Sequence, residues 1–125
     1  MFLIDTNIFL EILLNQDKTL ICKDFLNKNI KDLNISDFSL HSIGVILFRN
    51  NSAHVFNDFF KDVVINIRLK HLSKNNYNDI VDIKKHPGLD FDDSYQYCIC
   101  KEYNLTLVTM DKDFYNIKDI DILFL

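Results

Sequence analysis

Residues 2–14 read FLIDTNIFLEILL. Three apolar residues run directly into a single carboxylate, Asp5, and apolar residues at helical spacing follow. A short unbroken apolar run is typical of a strand that is buried on both faces of a parallel sheet. An Asp at the end of such a strand either caps the next helix or faces a ligand beyond the carboxyl end of the strand. The stretch therefore predicts an α/β fold and leaves both roles open for Asp5.

Strand-like and helix-like segments alternate along the rest of the chain. Strands are predicted over 2–4, 33–36, 63–67, 105–109 and, at an edge, 121–125; helices are predicted over 6–15, 19–28, 38–50, 53–61, 73–84 and 91–103. Alternation of this kind predicts βαβ units. We therefore expect a three-layer α/β/α sandwich with a mostly parallel sheet of four or five strands. The KKHPG stretch (84–88) marks a break before the last helix, and no linker or repeat divides residues 1–125, so one domain is expected.

The composition favours a compact intracellular protein. Of the 125 residues, 48% are hydrophobic and only 2 are Gly and 1 is Pro, which argues against disorder. Three cysteines cannot all pair, so we expect reduced thiols in the cytoplasm. Asp5 and Glu11 interrupt the region where a signal peptide needs an unbroken apolar run, and no window approaches a membrane span of ~20 apolar residues. A net charge of −4 disfavours a general, charge-driven nucleic-acid binder but suits an enzyme with an acidic site.

Carboxylates follow the predicted strands at one edge of the sheet. The residues concerned are Asp5, Asp90, Asp92, Asp93, Asp111 and Asp113. Like charges held close together repel, so such a cluster predicts a bound cation. All-oxygen ligation suits Mg²⁺ or Mn²⁺. A metal-activated water hydrolyses a phosphodiester without a Ser, His or Cys nucleophile, and the cluster therefore favours that reaction.

Several of these acids also have a purely structural interpretation. Asp90 precedes the helix over 91–103 and has Asp93 at the spacing of a capping box, so we expect it to be an N-cap. Asp113 is either a ligand or the cap of a turn at Phe114. Asp92 is expected either to face solvent or to support the metal ligands from behind. Only the convergence of the acids on one edge predicts a site.

Both ends of the chain resemble the PIN domain family and, within it, the compact ribonucleases typified by VapC-like toxins. LIDTNIFL (3–10) is similar to that family's strand followed by Asp-Thr-Asn. DDSYQYCICKEYNLTLVTMDKDF (92–114) resembles its C-terminal signature, an Asp and two small residues before a strand that ends in Thr-x-Asp. On that register Asp93 is the first acid, Ser94 and Cys100 are the small residues, Asp111 is the second acid and Phe114 is the following aromatic.

The resemblance implies a Mg²⁺- or Mn²⁺-dependent endoribonuclease acting on RNA. It implies Asp5, Asp93 and Asp111 as catalytic, metal-binding carboxylates and Asp113 as a further ligand. Asn7 and Thr109 would position the water or an acid. The resemblance also implies a small antitoxin protein as a partner, bound through the acidic groove, and a homodimer.

The chain departs from this family at Ser42. The family carries a Glu in the helix after the second strand, and in SLHSIGVIL (39–47) Ser42 occupies its place. Asp37 or His41 would have to compensate, although Asp37 also suits an N-cap. This departure keeps open a catalytically degenerate PIN-like domain that binds RNA or a partner protein without cleavage. A metal-dependent phosphatase fits less well, because Asn7 stands where its second Asp is needed.

Cations and aromatics elsewhere are candidates for RNA contacts. The cations are Arg49, Lys70, Lys74, Lys84 and Lys85, which hold phosphates without reading sequence. Tyr95 and Tyr97 are candidates for stacking on bases. Helical spacing places at least one of the two tyrosines in the core instead.

Overall fold

The computed structural model describes residues 1–83 and 88–125. Its strands form one sheet in the order β3-β2-β1-β4-β5, and every pair of neighbours is parallel. The strands are β1 (Phe2–Ile4), β2 (Leu33–Ser36), β3 (Arg68–Lys70), β4 (Thr106–Thr109) and β5 (Ile122–Phe124). Helices cover both faces, which confirms the predicted α/β/α sandwich with its parallel sheet.

The helices follow the sequence pattern closely. They are α1 (Thr6–Leu13), α2 (Thr19–Asn29), α3 (Asp37–Arg49), α4 (Ala53–Asp62), α5 (Tyr77–Ile83) and α6 (Phe91–Tyr103). The segment predicted as one helix over 73–84 starts as a 3₁₀ turn, Lys74–Asn76, and continues as α5. Its predicted end, most of the KKHPG break and the candidate cations Lys84 and Lys85 lie outside the described residues.

The sheet separates two hydrophobic clusters. Ile4 and Val108 point to the side that α1 to α4 cover, whereas Leu3 and Leu107 point to the side of α5 and α6. All four side chains are fully buried. Neighbouring residues of a strand face opposite sides of a sheet, so a central strand with both sides covered needs consecutive apolar residues. The apolar run before Asp5 is therefore explained by its place in the middle of the sheet.

The third strand lies further along the chain than the sequence pattern predicts. The β-branched run 63–67 was the predicted strand, but Val64–Asn66 is a 3₁₀ turn beyond α4, and β3 is Arg68–Lys70. Val64 is 7% exposed and packs into the cluster beneath α1 to α4, whereas Leu69 is 54% exposed. An edge strand pairs through its backbone and needs no apolar side chains. The hydrophobic pattern therefore marked the turn that anchors Val64 in the core instead of the strand.

The order of the strands locates the crevice in which a ligand can bind. The chain moves from β1 outwards to β2 and β3, and then returns to add β4 and β5 on the other side of β1. Ligands of open α/β sheets bind beyond the carboxyl ends of the strands at such a reversal. Asp5 directly follows β1 and Asp111 lies just beyond β4, so both stand at this reversal. Among residues 1–83 and 88–125, no helix has the length and apolar character that crossing a membrane requires.

Candidate active site

Asp5 is held firmly where β1 passes into α1. Its backbone N–H donates to the Val108 carbonyl oxygen of β4 at 2.9 Å. Its carboxylate accepts hydrogen bonds from Thr6 N (2.8 Å), Thr109 Oγ1 (2.7 Å) and Gln96 Nε2 (3.3 Å). The residue is 7% exposed. Burial raises the pKa of the Asp5 carboxyl, and the three donors oppose that rise. Asp5 is thus both the N-cap of α1 and a wall of the cleft beyond the sheet.

Three further carboxylates converge beside Asp5. Asp93 in the first turn of α6 and Asp111 and Asp113 after β4 place oxygen atoms within 4.8 Å of one another. Asp111 is the N-cap of the 3₁₀ turn Lys112–Phe114, because its Oδ1 accepts from Asp113 N at 2.9 Å. Asp111, and not Asp113, is therefore the cap of this turn. Of the two roles predicted for Asp113, that of a metal ligand stays a prediction. The side chain of Asp113 is exposed.

The acids of this cluster repel one another. The pKa of the Asp93 carboxyl is raised to about 7, first by burial and then by the negative charges of Asp90, Asp111, Asp5 and Asp113. A cation bound among these oxygens would remove the repulsion. Carboxylates are the ligands that Mg²⁺ and Mn²⁺ prefer, and the partial exposure of the cluster leaves room for the waters that Mg²⁺ retains. The residues present therefore fit a hard divalent cation.

Thr109 connects the carboxylates of β1 and β4. Its hydroxyl donates to Asp5 Oδ2 at 2.7 Å and accepts from the backbone N–H of Asp111 at 3.0 Å. Asn7 Nδ2 approaches the same hydroxyl at 3.5 Å, and Asn7 Oδ1 lies 3.5 Å from the Met110 backbone nitrogen. The two residues expected to support the site thus lie against Asp5 and the β4 turn.

The α3 side of the cleft carries no free carboxylate among the described residues. Ser42 lines the cleft, as the register with the family predicts, but contributes only a hydroxyl. Asp37 does not compensate from the cleft wall: its Oδ1 accepts from Tyr95 OH at 2.8 Å and from Phe38 N at 2.8 Å. The predicted N-cap role of Asp37 is also wrong, because Ser36 caps α3.

Asp90 caps a helix, and His41 lies outside the acidic cleft. Asp90 is the N-cap of α6 and accepts from Asp93 N at 2.9 Å, which confirms the predicted cap. Asp90 and Asp92 also line the rim of the cleft, where both are exposed. His41 is exposed and lies along an apolar groove with Gly44 and Phe56, apart from the acids.

The two candidate stacking residues lie in the core and not on a surface that RNA can reach. Tyr95 and Tyr97 are both buried in α6, so the expectation that at least one lies in the core is confirmed. The Tyr95 hydroxyl accepts from Leu72 N and donates to Asp37, and the Tyr97 hydroxyl bonds to Asp119. Among the candidate cations, Lys70 Nζ lies 4.6 Å from the centre of the Tyr103 ring.

Gln96 is a residue of the cleft that the sequence reasoning missed. It lies one turn after Asp93 on α6 and donates from Nε2 to both Asp5 and Ser39 Oγ. Its oxygen Oε1 is buried and has no hydrogen-bond partner among the described residues. The signal was present in the sequence, since residues three apart share one face of a helix. A polar side chain on the face of Asp93, in a largely apolar stretch, was the clue.

Comparisons with known proteins bear on this geometry. The model of the PIN domain family matches residues 2–120. A toxin–antitoxin complex from Klebsiella pneumoniae has a chain that is 18% identical to this one, with a TM-score of 0.77. The alignment covers 98% of this chain and 96% of that chain. A comparison with curated protein sequences gives no match.

Two further solved structures share the fold. VapBC2 from Rickettsia felis, bound to a DNA fragment from its promoter, has 15% identity, a TM-score of 0.80 and coverage of 99% of this chain and 98% of that chain. VapC20 from Mycobacterium tuberculosis, described as a sarcin-ricin loop cleaving toxin, has 12% identity, a TM-score of 0.77 and coverage of 92% and 93%. At these identities the likeness establishes the fold of the chain.

Proposed function

Because this chain belongs to the PIN domain family, we propose that it is a Mg²⁺- or Mn²⁺-dependent endoribonuclease that cleaves phosphodiester bonds of RNA. The observation that carries the proposal is the convergence of Asp93, Asp111 and Asp113 within 4.8 Å, beside the buried Asp5. Asp5, Asp93 and Asp111 are the proposed catalytic carboxylates, and Asp113 is a further metal ligand.

The chemistry follows from the charges in the cleft. When bound, Mg²⁺ or Mn²⁺ lowers the pKa of a coordinated water and offsets negative charge on the attacked phosphate. Asp5 offers a carboxylate that three hydrogen bonds hold in one orientation, so little reorganisation is needed at the moment of reaction. The Thr109 hydroxyl links the Asp5 carboxylate to the backbone N–H of Asp111 and so fixes their relative positions. Asn7 supports the Thr109 hydroxyl from α1.

The partners of the chain are part of the same proposal. Two of the similar structures are a toxin–antitoxin complex and VapBC2, which supports a small antitoxin protein as the inhibitor of this chain. A cationic segment of such a protein would complement the acidic cleft. We further propose a homodimer of one-domain chains, residues 1–125, acting on RNA in the cytoplasm.

Ser42 supports a second candidate function. The α3 wall of the cleft presents this hydroxyl where a further carboxylate would strengthen metal binding. Without that charge, the domain would bind RNA or a partner protein and leave the phosphodiester intact. The test of the first proposal also separates it from this alternative.

The test measures cleavage of a structured RNA by the purified chain. Fragments are resolved by denaturing electrophoresis with Mn²⁺, with Mg²⁺ and with EDTA. The proposal expects cleavage with either metal, none with EDTA, and a loss of at least about 100-fold in Asp5→Asn, since metal-supporting carboxylates contribute on that order. Thermal melting verifies that the variant is folded.

Three results would count against the proposal. Cleavage that persists in Asp5→Asn would come from a contaminant. Cleavage in EDTA would exclude metal dependence. A folded wild-type chain that binds RNA and cleaves none with any divalent metal would favour the non-cleaving domain.

A further inference from the structure

Among the described residues, only one half of the Gln96 amide has hydrogen-bond partners. The residue is 2% exposed, and its nitrogen Nε2 donates to Asp5 Oδ1 at 3.3 Å and to Ser39 Oγ at 2.8 Å. Its oxygen Oε1 accepts no hydrogen bond from the described part of the chain. A buried carbonyl oxygen without a donor is unfavourable, so its presence calls for an explanation.

The orientation of the amide is fixed by its neighbours. Turning the amide over would place Oε1 against the Asp5 carboxylate, and two acceptors would then repel each other. Ser39 is itself tied into place, because Ser36 Oγ lies at 3.1 Å and Thr6 Oγ1 at 2.8 Å from its hydroxyl. The nitrogen of Gln96 is thus committed, and the oxygen is the atom left over.

The cleft is the polar side from which a donor can approach the Gln96 amide. Gln96 lines the cleft of about 290 Å³ together with Asp5, Asp93 and Ser42. Hydrophobic residues surround α6 on its other side, where Ile99 and Cys100 are buried. Waters on a divalent cation are strongly polarised donors, and outer residues that bind them orient the metal site. A water on a bound cation is therefore a suitable donor for Oε1.

We propose that Gln96 is a positioning residue of the metal centre: its amide nitrogen fixes Asp5, and its amide oxygen accepts a hydrogen bond from a water on the bound cation. This inference rests on the proposed function, because it requires a divalent cation beside Asp5, Asp93 and Asp111. It assigns α6 a polar contribution to the site besides Asp93. It also accounts for both ends of a buried amide.

The test measures Mn²⁺ binding by the full chain without any RNA. Free Mn²⁺ is followed by electron paramagnetic resonance during a titration of wild type, Gln96→Met, Gln96→Glu and the control Gln16→Met. Methionine keeps the length of the side chain but has no comparable donor or acceptor, whereas glutamate keeps an acceptor oxygen. Gln16 is the matched control because it is exposed.

The expected result is an order of affinities. Gln96→Met should weaken Mn²⁺ binding by about ten-fold, the lower end of effects from residues that support metal ligands. Gln96→Glu should bind more tightly than Gln96→Met, and Gln16→Met should match wild type. A role in packing alone predicts that Gln96→Met binds Mn²⁺ as tightly as wild type, since methionine fills a similar space in an apolar contact.

The outcomes separate the inference from the proposed function. A wild-type chain that binds no Mn²⁺ overturns the metal-dependent function and the inference with it. Wild-type binding that Gln96→Met leaves unchanged overturns the inference alone. Should Gln96→Met fail to fold, Gln96→Leu, which likewise has no side-chain donor or acceptor, replaces it in the titration, and unchanged Mn²⁺ binding again overturns the inference.

Discussion

At the scale of single residues, repulsion among the acids makes the metal-free protein sensitive to pH. The pKa of Asp93 is raised from 3.8 to about 7 by burial and by neighbouring carboxylates. Between these two pKa values, the folded chain therefore holds a proton on Asp93 that the unfolded chain has lost. The free energy of unfolding decreases with rising pH wherever the folded state binds more protons than the unfolded state. Asp93 thus makes the metal-free fold less stable as pH rises from about 4 to about 7.

Replacing Asp93 with Asn should remove this loss. In EDTA at pH 8, we expect Asp93→Asn to melt a few degrees above wild type, and we expect the gap to shrink as pH falls towards 5. Circular dichroism melts at several pH values measure this difference in melting temperature. The exposed Asp17→Asn variant is the matched control for loss of one negative charge. A pH-independent gap would show that charge repulsion at Asp93 is not its cause.

A second prediction at this scale concerns Ser42. This side chain lines the cleft on the α3 side, so Ser42→Glu adds a carboxylate to the site. Attraction between that charge and a divalent cation should tighten Mn²⁺ binding by about ten-fold, or about 1.4 kcal/mol. Calorimetric titration measures the affinity. His41→Glu is the control, because His41 lies along the apolar groove of α3. Equal tightening in both variants would point to net charge instead of a local ligand.

At the scale of elements, hydrophobic patterning located the helices well and misplaced one strand. The prediction for α6, 91–103, matches Phe91–Tyr103, since Asp90 supplies a clear cap and Asn104 ends the helix in the left-handed region with φ 52°. β3 gave no such signal. Arg68 and Leu69 are exposed at the edge of the sheet, whereas the buried Val64 belongs to the turn before the strand.

The position of β3 can be tested with two truncations. Val64→Ala should lower the free energy of unfolding by about 2 kcal/mol, because it removes two buried carbons and leaves a small cavity. Leu69→Ala should lower it by less than about 0.5 kcal/mol, because Leu69 is 54% exposed. Urea denaturation measures both. The reverse ranking would restore the strand to 63–67.

At the scale of the whole molecule, the sequence predicted which segments meet but not how they are joined. The acids after β1 and β4 could be placed at one edge, because parallel strands end together there. The hydrogen bonds from Gln96 and Thr109 to Asp5 depend on side-chain directions across three elements. Spacing along the chain does not fix those directions. The short chain of contacts from Ser36 through Ser39 to Gln96 was hidden for the same reason.

The same assembly makes metal binding a property of the entire fold. Thr109 and Asp5 are 104 residues apart in sequence yet share a hydrogen bond, and Asp93 comes from a third segment. Unfolding separates these carboxylates, so a cation binds the folded state far better. At 100 times its dissociation constant, Mn²⁺ should add about 2.7 kcal/mol of stability.

Thermal melts at pH 7.5 should show this stabilisation as a rise of several degrees in wild type when Mn²⁺ replaces EDTA. Asp111→Asn should gain little, because it removes one of the three clustered carboxylates. Asp24→Asn is the control, since Asp24 pairs with Lys28 on the exposed face of α2, and it should gain as much as wild type. An equal gain in Asp111→Asn would place the stabilising cation elsewhere. A cation bound between the ends of β1 and β4 and the start of α6 depends on Asp111, so its stabilisation of the folded state should fall when that carboxylate is removed.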